Sequence, residues 1–314
     1  MVSVYRFWEN NMRLLATRTI VLAVIAVGPV TPVFSQQTST STWTAVESAI
    51  GRKGVMQPGN VIKFSFPRSD LSVSIGGVRL KPAFALGGWV AFKVTTRGQA
   101  VAMGDLVLTE AEVGPVMRAL QAGGVEQTAL HNHLLNETPH VMYMHVRAQG
   151  DPSQIARAIR SALAGSATPL TQPPAPSPAT AAATDIDTSA IATALGVTGK
   201  SNGGVYQVSI PRSETIRENG MEVPPSMGVA TAINFQPTGG GKAAITGDFV
   251  LRANEVIPVI RALRLSGIAG TALHSHMLTE EPRLLFMHFW ANDDAVQLAR
   301  GLRIALDVTS SFRR

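Results

Sequence analysis

The chain has 314 residues, 45% of them apolar and 15% charged, with a formal net charge of +6. That is long enough for two ordinary domains with packed cores. The absence of cysteine excludes disulfides, thiolate metal ligands and cysteine nucleophiles, and the lack of a dense Lys/Arg run argues against a nucleic-acid partner.

Residues 1–35 read as an export signal. Arg13 and Arg18 form a basic lead, Ile20 to Val27 is the apolar centre, and Val33-Phe34-Ser35 suits cleavage before Gln36. The apolar run is short and broken at Gly28-Pro29, so the expectation is a periplasmic or secreted protein with no stable membrane span after cleavage.

Two copies of one domain follow, over 43–165 and 185–307. Between them, 166–184 is a Pro/Ala-rich stretch read as a semi-extended linker. Phe66-Pro-Arg-Ser69 matches Ile210-Pro-Arg-Ser213, Gly104-Asp105 matches Gly247-Asp248, and Pro115-Val-Met-Arg-Ala-Leu120 matches Pro258-Val-Ile-Arg-Ala-Leu263.

Each copy has the same order of predicted elements. Strands are expected over 61–66, 88–94 and 100–108, and over 205–210, 228–235 and 243–251. A helix comes next, with Val113, Val116, Met117 and Leu120 on its apolar face, mirrored by Val256, Val259, Ile260 and Leu263; Pro115 and Pro258 are placed in its first turn. A hairpin of two strands comes after it. The last helix starts at Asp151-Pro152, an N-cap and a proline at the first helical position, and repeats Ile155, Ile159 and Leu163 every four residues. The order β-β-β-α-β-β-α predicts an α+β fold, an antiparallel sheet with two helices packed on one face in each copy. The two sheets can pack face to face and bring both hairpins to one cleft.

All seven histidines lie in the two hairpins, which share the skeleton T-A-L-H-x-H-x3-E-x-P-x4-M-H, from Thr128 to His145 and from Thr271 to His288. Strand alternation puts His131 and His133 on one face, and His145 joins them if Met144 faces the core. His274, His276 and His288 repeat the set. Imidazoles with a nearby carboxylate suit a divalent transition metal such as Zn, Cu, Fe, Mn or Ni. His131, His133, His145, His274, His276 and His288 are therefore the expected metal ligands. Glu137 and Glu280 are candidate general bases on a metal-bound water. Asp105 and Asp248, after a Gly in a strand, are candidates to orient a histidine or contact a ligand, and Arg68 and Arg212 to bind a carboxylate or phosphate. His140 has Arg283 as its counterpart in the other copy and is not part of the common set. The methionines near the histidines (Met142, Met144, Met277, Met287) are read as core rather than copper ligands.

These motifs, over 43–307, resemble the LppY/LpqO family of exported bacterial proteins with a duplicated domain of unknown function. The resemblance implies export and duplication, and no reaction; the chain lacks the cysteine of lipoprotein members. The H-x-H-x3-E string also looks like the first cupin motif, a similarity of ligand chemistry and not of fold. Three functions follow from the residues. The leading one is a protein that binds a transition metal or a small anionic ligand at one site per repeat. The others are a metal-dependent hydrolase and a structural envelope module whose histidines are not ligands.

Overall fold

The computed structural model describes residues 40–95, 98–171 and 185–311. The expected signal segment and residues 172–184 of the linker lie outside the described residues.

The first repeat runs α1 (Thr40–Ile50), β1 (Val55–Gln57), β2 (Val61–Pro67), β3 (Ser74–Ile75), β4 (Val78–Arg79), α2 (Pro82–Ala85), β5 (Gly87–Val94), β6 (Ala100–Thr109), α3 (Glu110–Ala122), β7 (Glu126–His131), β8 (Val141–Gly150) and α4 (Pro152–Leu163). The second runs α5 (Thr188–Leu195), β9 (Lys200–Asn202), β10 (Val205–Pro211), β11 (Arg217–Glu218), β12 (Met221–Glu222), a 3-10 turn at Pro225–Met227, β13 (Ala230–Gly239), β14 (Lys242–Leu251), α6 (Ala253–Leu265), β15 (Ala269–His274), β16 (Glu280–Glu281), β17 (Leu285–Asp294) and α7 (Ala295–Asp307). Each repeat builds one six-stranded antiparallel sheet, in the order β1-β2-β5-β6-β8-β7 and its counterpart β9-β10-β13-β14-β17-β15.

Period-two alternation divides the side chains of each strand between two environments. On β6, Ala100, Ala102, Leu106 and Leu108 enter the core under the helices, beside Val116 and Leu120 of α3 and Ile155, Ile159 and Leu163 of α4. Val101, Met103, Asp105 and Val107 turn the other way. On that side the two sheets meet: Val61, Ala91, Val101 and Met103 pack against Val223, Val229, Val250 and Phe286 of the second repeat. A second apolar cluster joins Phe84, Val107 and Tyr143 to Val205 and Ala244. The expected face-to-face arrangement of the sheets is therefore present, and the core is built in three layers, helices, paired sheets and helices.

The α+β architecture holds, with additions to the expected elements. A further helix leads each repeat. Trp43, Val46 and Ile50 of α1 join the first core, and Ile191 and Leu195 of α5 join the second. The helix after the long strands β6 and β14 begins earlier than expected, at Glu110 and Ala253, so Pro115 and Pro258 lie inside α3 and α6 and not in the first turn. Its start is set by a carboxylate: Glu112 accepts from the Thr109 amide at 2.8 Å, and Glu255 from that of Arg252 at 2.7 Å. Asp151 caps α4 as expected, accepting from the Gln154 amide at 2.7 Å. The first residues of the expected linker are docked on the first repeat, because Arg52 donates to the carbonyls of Pro169 and Thr171.

Candidate metal centre

The hairpin geometry follows from pairing. His131 stands opposite Tyr143 and Ala129 opposite His145, so the two histidines are diagonal neighbours on the inter-sheet face. His274 opposite Phe286 and Ala272 opposite His288 repeat this. Met144 and Met287 point into the helix-side cores, as expected for core methionines. His133 and His276 lie just beyond β7 and β15, where alternation alone no longer places them. Each is fixed by the other repeat instead: Thr271 donates its hydroxyl to the His133 carbonyl at 2.5 Å, and Thr128 to the His276 carbonyl at 2.6 Å. The threonine that opens the shared skeleton thus fastens the partner hairpin.

Face-to-face packing turns the two expected sites into one cluster. His131 stacks on its counterpart His274 with ring centroids 3.5 Å apart, His133 on His288 at 3.7 Å, and His145 on His276 at 3.8 Å. These pairings are those of a pseudo-twofold axis relating the repeats. Three groups bring ligand atoms within 4.8 Å of one another: His131, His274 and His288; His145, His274 and His276; and Asp105, His131 and His133. The first two draw on both repeats, and the third lies within the first repeat.

Asp105 and Asp248 enter the cluster as expected, and the glycine before each explains how. A Cβ on Gly104 would lie 2.7 Å from the Trp89 carbonyl, and one on Gly247 only 1.9 Å from that of Ala232. Glycine therefore lets β6 and β14 approach the neighbouring strand where the acid projects inward. His133 Nε2 is 3.6 Å from Asp105, and His276 Nε2 is 3.1 Å from Asp248.

The protonation pattern favours metal binding. The Nδ1 atoms of His131, His276 and His288 sit 3.0, 3.2 and 2.7 Å from the carbonyls of Asn132, Gly228 and Gly247. A carbonyl only accepts, so in the neutral ring Nδ1 carries the hydrogen and Nε2 the lone pair. Burial, then the neighbouring His288, lowers His131 to about 3. His133, His145, His274 and His288 are also lowered, chiefly by burial. Asp105 is pushed up by burial and by the charge of Asp248. At Asp248 burial opposes ionisation, but His288 and His276 outweigh it and hold the carboxyl below its ordinary value.

Beside the cluster lies a cavity of about 380 Å³, lined by His133, His145, His276, His288 and both aspartates. Lys63 and Trp89 form part of its wall, with the Lys63 ammonium 3.8 Å from the Trp89 ring centroid. Burial lowers Lys63 to about 8 against the pull of Asp105. Thr246 and Asn234 also line it. Sequence reasoning passed over Lys63. Its signal was a lone lysine in the apolar strand Val61 to Phe66, at the position that Gln207 occupies in the other repeat.

Other expected site residues are placed elsewhere. Arg68 is fully buried, donates to the Val107 carbonyl at 2.7 Å, and pairs with Asp70 and Glu112. Arg212 does the same with the Val250 carbonyl, Glu214 and Glu255. Both guanidiniums are occupied by carboxylates of their own repeat and do not line the cavity, which corrects their assignment to an anionic ligand. Glu137 and Glu280 also fall outside the ligand groups and the cavity wall. They clamp the hairpin loops: Glu280 accepts from the Leu284 amide at 2.9 Å and pairs with Arg283 at 3.0 Å, while Glu137 lies 3.5 Å from His140. His140 and Arg283 are thus equivalent partners of the loop acid, and His140 is no member of the cluster.

No curated protein matches the chain in sequence. Two solved structures share about four fifths of its length at low similarity. One is the crystal structure of a trimeric bacterial microcompartment shell protein, PduB, with 14% identity, 81% of this chain and 93% of that chain covered, and a TM-score of 0.19. The other is EtuB from Clostridium kluyveri, with 10% identity, 82% and 91% covered, and a TM-score of 0.19. Both repeats, over residues 44–165 and 189–308, match the same family, and the chain therefore belongs to the family described as Domain of Unknown Function (DUF1259), of which it carries two copies.

Proposed function

We propose that the protein binds a divalent transition metal at a single centre built by both repeats from six histidines and two aspartates. One observation carries this reading. The Nε2 atoms of all six histidines are buried without a well-formed hydrogen bond, and only that of His276 comes as close as 3.1 Å to a carboxylate, that of Asp248. Each unpartnered atom costs on the order of 1–3 kcal/mol, and several in one place are a deficit that a cation bound by their lone pairs removes. Imidazole nitrogen and carboxylate oxygen suit Zn²⁺, Cu²⁺, Fe²⁺, Mn²⁺ or Ni²⁺. His131 and His274, which stack on each other, recur across the ligand groups and are the central ligands.

The cavity beside the centre favours a role with a small-molecule ligand over histidines that only brace hairpins. Hydrolysis by a metal-bound water is the second reading, and Glu137 and Glu280, which lie outside the cavity wall, are then not its base. Export to the periplasm or medium is proposed from residues 1–35 alone, and N-terminal sequencing of the protein recovered from cells tests it.

The centre is tested by elemental mass spectrometry after incubation with each metal, with Fe²⁺ kept anaerobic, and dialysis. The wild type retains metal, and His274→Ala weakens retention of the whole complement at least tenfold. Retention of half the metal at undiminished affinity would show two independent sites and overturn the shared centre. No uptake of any of the five metals by the wild type would overturn metal binding itself.

A further inference from the structure

The two repeats contribute unequal walls to the cavity. At matched register positions, Trp89 of the first repeat corresponds to Ala232 of the second, Met103 to Thr246, Ala91 to Asn234, and Lys63 to Gln207. Ala91 and Met103 belong to the apolar cluster that joins the sheets. Their counterparts Asn234 and Thr246 instead face the cavity. The histidines kept their twofold pattern while the surroundings diverged, as expected where one chamber serves one ligand.

The polar groups in this chamber are incompletely paired. Thr246 is 3% exposed, and its hydroxyl oxygen is buried without a hydrogen-bond partner. Lys63 is half-buried, stacks on Trp89, and has no ion-pair partner within salt-bridge distance among the described residues. A cation held over an aromatic ring, in a chamber whose wall also carries an unpaired hydroxyl, suits a ligand with one anionic group and a small organic body. The volume of about 380 Å³ lies in the range of small-molecule pockets.

We propose that the chamber binds a small organic carboxylate, with its anionic group on Lys63, its body against Trp89 and Thr246, and its far end toward the metal centre. Only the last contact rests on the metal reading above. A bound divalent cation offsets the charge of Asp248, so the metal-loaded protein binds the carboxylate more tightly than the metal-free protein. An organic body explains the aromatic wall, which inorganic phosphate would leave unused.

Isothermal titration calorimetry with propionate, benzoate and inorganic phosphate tests this on the full chain, metal-loaded and metal-free, with metal content measured on the same samples. Propionate or benzoate binds. Lys63→Gln, which installs the residue found at the matching position of the second repeat, weakens that binding at least tenfold with metal content unchanged. Thr246→Met, which installs the residue of the first repeat, fills the chamber and abolishes it. If Thr246→Met does not fold, as judged by its melting curve, Thr246→Val takes its place and weakens binding severalfold. Failure of both carboxylates to bind the wild type, or undiminished binding to Lys63→Gln, would overturn the proposal. So would binding of phosphate alone, which would reassign the chamber to that anion. If no metal is taken up but Lys63-dependent carboxylate binding persists, the carboxylate assignment stands and only the metal reading falls.

Discussion

Removing the guanidinium of Arg68 strands two carboxylates at once, because Asp70 and Glu112 both pair with it. Breaking one side of a buried pair costs roughly 3–5 kcal/mol. Arg68→Met and Arg212→Met are therefore expected to lower the unfolding free energy by about that amount while leaving metal content per folded chain unchanged. A loss of metal without a loss of stability would return the arginines to the site. Thr128 and Thr271 act in the opposite sense. Each makes one hydrogen bond across the repeats to the loop that carries a histidine of the cluster. Thr128→Val and Thr271→Val should cost only about 1 kcal/mol of stability each. They should loosen His276 and His133 and weaken metal binding severalfold in a competition titration against a chromogenic chelator. Unchanged metal affinity in both variants would deny the threonines a positioning role.

At the scale of elements, Gly247 governs how closely β14 lies against β13. A methyl group there would stand 1.9 Å from the Ala232 carbonyl, so Gly247→Ala must spread the strands and shift Asp248. Overpacking of this kind costs about 1–3 kcal/mol, and here it should also reduce metal uptake. A variant with wild-type melting temperature and metal content would refute the close-approach argument. The Gly-Asp pair was legible in the sequence as a repeated motif, but its reason was not, since the carbonyl that excludes a Cβ belongs to another strand. The main strands, α3 and α4 and the facing of His131, His145, His274 and His288 were legible because period-two and period-3.6 patterns are local. Helix α1 was equally legible from Trp43, Val46 and Ile50 at helical spacing, yet its polar Ser/Thr lead hid it. At α5, eight residues rich in Ala and Thr offered too little amphipathic contrast to mark a helix. The arginines misled for a physical reason: a strand-end Arg looks alike in sequence whether its partner is a ligand or a glutamate 44 residues away.

For the whole molecule, the merging of two histidine sets into one centre has a consequence for stability against pH. That merging could not be read locally, because each stacked pair joins residues from different repeats. Burying the imidazoles together lowers His131, His133, His145, His274 and His288 below the ordinary histidine value, with burial the leading cause in each. Between about pH 6.5 and the lowered values, the unfolded chain binds protons that the folded chain does not. Stability is then complete above about 6.5 and falls as pH drops, on the order of 1 kcal/mol per pH unit for each such histidine. Asp105 acts against this trend, since its raised carboxyl keeps a proton in the folded state that the unfolded chain has released above about 4. One carboxyl does not offset five imidazoles, so the metal-free protein should show a lower guanidinium midpoint at pH 5.5 than at pH 7.5. A bound metal occupies the same lone pairs that protons seek, and ligand linkage adds about 4 kcal/mol at a thousandfold excess over the dissociation constant. The metal-loaded protein should therefore hold its midpoint to lower pH and then lose metal and stability together. Equal midpoints at the two pH values in the metal-free protein would mean that these five histidines are not buried in the neutral form.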